Sequence, residues 1–77
     1  MDKLEHIKKS AVIKRSILIN GHKTSVSLEN EFWSGLHDVA RSMNVPAAKL
    51  VEQLDRDSDN VNLSSAIRVF VFNQLKK

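Results

Sequence analysis

Residues 11–28 read AVIKRSILINGHKTSVSL, with Asn20-Gly21 standing between two runs rich in β-branched residues. An Asn-Gly pair in that setting is the strongest short-range hairpin signal, because both central positions of the tight turn need positive φ. With Asn20 and Gly21 as a two-residue turn, Ile19 faces His22, Ile17 faces Thr24, Arg15 faces Val26 and Ile13 faces Leu28, a mostly apolar face. The opposite face pairs Leu18 with Lys23, Ser16 with Ser25 and Lys14 with Ser27; it is polar, basic and short-chained. The reading predicts a sheet with one side for a core and one wet side suited to an anion. Arg15 falls on the core side, so it either snorkels to the edge on its aliphatic stem or argues for another register.

Downstream of the hairpin the apolar period changes from two to that of a helix. Phe32, Leu36, Val39, Ala40 and Met43 form one stripe and predict a helix over residues 29–43. Glu29 and Glu31 sit where the positive end of the helix dipole favours acids. Asn44-Val45-Pro46 breaks this helix, and the proline suits the first turn of a second, shorter one. Ala47, Leu50, Val51 and Leu54 keep the stripe there, and Asp55 to Asn60 reads as a solvated loop. A third helix is expected from Asn62, among the best N-cap residues, with Ser64 and Ser65 in its first turn. Its sequence, LSSAIRVFVFNQL, places Leu63, Ala66, Ile67, Phe70 and Val71 on one stripe and adds Val69 and Phe72 outside it. A helix this apolar needs burial on more than one side, and a second copy of the chain is the expected cover.

Length and composition narrow the function classes. The chain has 77 residues, no cysteine and a net charge of +3. A domain of this size buries only about 60% of the surface its unfolded chain exposes, so it commonly needs disulfides, a metal or oligomerisation. Disulfides are excluded, and His6, His22 and His37 lack metal-ligand spacing, which leaves oligomerisation. The alternating aspartates of Asp55 to Asp59 lack the glycine and closing glutamate of a calcium loop. Gly21 and Gly35 are the chain's two glycines, so there is no glycine-rich phosphate loop, and a catalytic pocket is not expected at this size. We therefore expect no enzyme, cofactor or metal. The polar residues 1–10 read as a flexible arm before a single domain over 11–77. Neither a signal peptide nor a membrane span is visible, which points to the cytoplasm.

Charge is segregated along the chain. Residues 1–28 carry six basic against two acidic side chains, residues 29–59 three against seven, and residues 60–77 three against none. Basic flanks around an acidic middle suit a molecule with one positive face and an anionic partner.

The strand TSVSLE, the amphipathic helix after it and NLSSAIRVFV opening the last helix resemble the ribbon-helix-helix DNA-binding proteins over residues 23–75. The stretch RSILINGHKTSVSLENEFW is similar to one bacterial subgroup of small members of that family. The resemblance implies a mainly α fold with a short hairpin or ribbon, built as an intertwined homodimer with an extra short helix inserted. It implies a sequence-specific transcription regulator, a repressor, whose partners are its own second copy and double-stranded DNA. Lys23, Ser25 and Ser27 would reach the bases from the ribbon. The helix start at Asn62, Leu63, Ser64 and Ser65 would hold a phosphate, as exposed helix N–H groups do in any fold. Lys14 and Arg15 form a basic pair that either contacts phosphate or is simply solvated. Val26, Leu28, Ile67, Phe70, Val71 and Phe72 are the expected dimer interface.

Two readings of residues 11–19 stay open. As an arm they leave a two-stranded ribbon that fits a major groove about 12 Å wide. As hairpin strands they give a four-stranded sheet in the dimer, too wide to enter that groove whole. The second case favours a homo-oligomeric structural or protein-interaction module without DNA binding.

Overall fold

A computed structural model describes residues 11–57 and 62–76. The expected arm, residues 1–10, lies outside the described residues. Strand β1 (Val12–Ile19) and strand β2 (His22–Glu29) form an antiparallel hairpin, followed by helices α1 (Asn30–Ser42), α2 (Ala47–Asp57) and α3 (Leu63–Leu75). Residues 12–19 are therefore paired strand rather than arm. The register runs from Ile19 opposite His22 to Val12 opposite Glu29, with Arg15 opposite Val26 as the turn chemistry demands. Asn20 and Gly21 close the hairpin at φ of 52° and 80°, where glycine and asparagine are tolerated and β-branched residues are not.

Asn44 also lies in the left-handed region, at φ 61°, and it ends α1. The Val45 N–H reaches the Ala40 carbonyl and the Asn44 N–H reaches the Arg41 carbonyl, both at 3.0 Å, satisfying carbonyls the helix end would leave open. Pro46 then opens the next helix by accepting from the N–H groups of Lys49 and Leu50. Helix α2 continues through Asp57, so Asp55, Arg56 and Asp57 are helical rather than part of a loop. Its side chains sustain the extra turn: Gln53 donates to Asp57, and Lys49 and Arg56 both pair with Glu52.

The core lies between the inner face of the hairpin and the three helices. Ile17, Ile19, Val26, Leu28, Leu36, Ala40, Leu50, Val51, Ile67 and Val71 are buried in it, and Phe32, Trp33, Leu54, Leu63 and Phe70 close its margins. Met43, expected on the α1 stripe, is half exposed instead, because it caps the helix end beyond the last core turn. Gly35 lies where α1 crosses α3: a Cβ built there would stand 2.7 Å from Cγ1 of the buried Val71. The two helices approach this closely because the position carries no side chain.

Candidate nucleic-acid interface

In an antiparallel pair, alternate side chains point to opposite faces. The register thus places Lys14, Ser16, Leu18, Lys23, Ser25 and Ser27 on the hairpin face turned away from the core. Lys14, Ser16, Lys23 and Ser25 are exposed, and Ser27 is half-buried. Exposed Leu18 and Val12 flank the polar group at either end of β1. Lys14 and Lys23 stand two side chains apart across the pair, a spacing suited to two points on an anionic surface rather than to one chelated ion.

Arg15 does not share this face. Its guanidinium lies 4.8 Å over the Trp33 ring and donates to Asn30 Oδ1, on the core side. Its Nε is buried with no hydrogen-bond partner among the described residues. Trp33 in turn meets the edge of His37 at 4.6 Å, and Nδ1–H of His37 donates to the Trp33 carbonyl at 2.9 Å. The expected basic pair therefore separates: Lys14 is exposed on the outer face, while the Arg15 guanidinium meets an aromatic ring and an amide on the core side. The pleat explains this, since adjacent strand residues cannot share a face.

The start of α3 is built as its sequence suggests. The Asn62 side chain accepts from the Ser65 N–H at 3.2 Å, and the Ala66 N–H closes onto the Asn62 carbonyl. The Ser64 side chain, however, turns to β2. It accepts the backbone N–H of Ser27 at 2.9 Å. Arg68, one turn further along α3, donates from Nε to Glu29 at 2.9 Å and from its terminal nitrogen to the Ser27 carbonyl at 3.0 Å. Both backbone groups of Ser27 are thus held by α3. The Glu29 carboxyl is held below its ordinary pKa, first by a hydrogen bond from its own backbone N–H and then by Arg68. Arg68 was not among the residues expected to matter. Its signal was the single charge within the apolar run IRVFVF.

The residues expected at the dimer interface differ in how far their own chain covers them. Val26, Leu28, Ile67 and Val71 are each 1% exposed or less, buried by their own chain. Phe70 is half-buried, and Phe72 is the one left largely open, beside Val69 and Leu75 on α3. No helix among the described residues is long and apolar enough to cross a membrane.

A family model described as a ribbon-helix-helix domain matches residues 12–75, from the first residue of β1 to the last of α3. No curated protein and no solved structure matches the chain.

Proposed function

The chain belongs to the ribbon-helix-helix domain family, whose members are generally DNA-binding transcription regulators, and from that premise we propose that it is a homodimeric, sequence-specific DNA-binding regulator of the repressor type. The observation that supports this reading is the one-sided chemistry of the hairpin. Its outer face gathers Lys14, Ser16, Lys23, Ser25 and Ser27, and its inner face carries the core.

The contact differs from that of a bare two-stranded ribbon. Two hairpins side by side give four strands, with the outer pair about 14 Å apart at the usual strand spacing. That exceeds a major groove about 12 Å wide. The sheet therefore lies across the groove instead of entering it. Lys23 and Ser25 of β2 face the base edges, and Lys14 of β1 reaches phosphates at the rim. The α3 start at Asn62, Ser64 and Ser65 adds backbone N–H groups and the helix dipole to the phosphate contacts. Small hydroxyls discriminate bases weakly, so much of the specificity rests on Lys23 and on DNA shape.

A second reading keeps the dimer and drops the DNA. The complete pairing of β1 with β2, together with exposed Val12 and Leu18 on the outer face, favours a protein-interaction module. Fluorescence anisotropy of a labelled random-sequence duplex, titrated from low to physiological salt, separates the two. The DNA-binding reading expects affinity that falls log-linearly with salt. A verified dimer that shows no binding even at low salt leaves the interaction module standing.

A further inference from the structure

The free edge of β2 is not uniform along its length. Residues whose N–H and C=O face β1 alternate with residues whose groups face outward. Since α3 holds both groups of Ser27, the outward set is Lys23, Ser25 and Ser27. Ser64 and Arg68 close this edge at Ser27, and Arg68 extends the closure to Glu29. Among the described residues, nothing meets the outward groups of Lys23 and Ser25. The edge is closed by its own chain at the α1 end and open at the turn end.

We infer that two copies pair β2 to β2 off-centre, with the two-fold axis at Thr24, so that Lys23 of each copy lies opposite Ser25 of the other and the Ser27 closure stays in place. This rests on the homodimer reading above. Three antiparallel registers are available to the outward groups. An axis at Ser25 sets Lys23 against Ser27, whose groups are already taken; with the closure intact only the Ser25 pair can form. An axis at Lys23 sets two lysines directly opposite, which is destabilising. The axis at Thr24 draws on Lys23 and Ser25 alone and completes two hydrogen-bonded pairs. It also brings the two Thr24 side chains together, a favourable cross-strand combination. Closure of one end of the edge by α3 further leaves less of it open to unregulated strand addition.

The chain has no cysteine, so a single introduced one reports the axis directly. With the axis at Thr24, the two Thr24 Cα atoms are about 4.5 Å apart, within disulfide reach. The two Ser25 Cα atoms are then diagonal neighbours, beyond the roughly 7 Å limit for bridging. An axis at Ser25 reverses these relations. Full-length Thr24→Cys and Ser25→Cys are oxidised at concentrations where sedimentation shows a dimer, then run on a non-reducing gel. The expected result is a covalent dimer from Thr24→Cys and none from Ser25→Cys. The reverse pattern, or a dimer in which neither crosslinks, overturns the proposed register while leaving the homodimer intact. A monomer at every concentration removes the homodimer reading and this inference with it. Hydrogen exchange on the unmodified protein gives a second test free of any folding defect. The Lys23 and Ser25 amides should gain protection as concentration rises, whereas Ser27 stays protected throughout. Ser27 protection that appears only in the dimer overturns the inference.

Discussion

The backbone N–H of Ser27 in β2 donates to the hydroxyl oxygen of Ser64 in α3 at 2.9 Å, across 37 positions of sequence. Two residues expected to touch different parts of a nucleic acid thus touch each other. The contact ties the wet strand to the helix start, so the two candidate DNA-contacting elements are held as one unit. Arg68 strengthens the tie from the next turn through the Ser27 carbonyl and Glu29. Preorganisation of this kind lowers the ordering cost of binding.

Replacing Ser64 by alanine leaves the Ser27 N–H without its acceptor in a half-buried setting. An unsatisfied group of this kind costs on the order of 1 kcal/mol. Urea unfolding of Ser64→Ala should show a lower midpoint with an unchanged slope, and Ser64→Thr, which keeps the hydroxyl, should recover most of it. Equal midpoints for Ser64→Ala and the parent would show that water replaces the hydroxyl at no cost.

The Glu29 carboxyl has a lowered pKa in the folded chain, through its own backbone N–H and then Arg68. A group whose folded pKa is depressed adds stability above its unfolded value and loses it as pH falls through the folded value. The parent should therefore exceed Glu29→Gln in stability at neutral pH, and the gap should close on acidification into and below the carboxylate range. Urea midpoints of both proteins across that pH range test this. A gap independent of pH would remove the charge from the explanation.

Gly35→Ala should destabilise the chain, against the usual gain of about 1 kcal/mol for alanine over glycine within a helix. The new Cβ would meet Val71 Cγ1 at 2.7 Å, and Val71 is buried with a branched side chain that has little freedom to turn. Overpacking of this kind costs about 1–3 kcal/mol. Thermal unfolding of Gly35→Ala alone and with Val71→Ala should show the second substitution relieving part of the strain caused by the first.

Lys14→Ala should weaken binding to a random duplex and flatten its salt dependence, whereas Lys23→Ala, at the base edges, should weaken binding at all salts. With two copies per dimer, losing one phosphate contact per chain reduces the log–log slope by about 2. Arg15→Ala should leave that slope unchanged and lower stability instead, because its guanidinium stacks on Trp33. Anisotropy over a salt series, with urea unfolding beside it, distinguishes the two kinds of arginine and lysine. An Arg15→Ala slope as flat as that of Lys14→Ala would return Arg15 to the interface.

Much of this arrangement is legible residue by residue. Asn20-Gly21 is enough to set the hairpin register, since the turn chemistry admits few alternatives. Asn44-Val45-Pro46 and Asn62 mark helix ends through local backbone chemistry alone. The outward set Lys14, Ser16, Lys23, Ser25 and Ser27 follows from the pleat once the register is known. Arg68 escaped notice because its partners lie about 40 positions away, and Gly35 because its reason is a helix crossing. Helix α2 outlasts its expected end because Asp55 to Asp57 reads as loop by composition, while Glu52 and Gln53 hold it as helix.

Where strands and helices begin, which side chains share a face and which face is wet all follow from local sequence. These depend on neighbours within about one turn or one hairpin. Tertiary structure alone decided what covers each apolar face. Val26, Leu28, Ile67 and Val71 would read the same whether a second copy or their own chain buried them, because the hydrophobic effect has no direction and rewards any cover. It also decided that the edge of β2 closes at Ser27 and, among the described residues, stays open at Lys23 and Ser25. That division depends on where the first two turns of α3 come to rest, a matter of packing that no local pattern encodes.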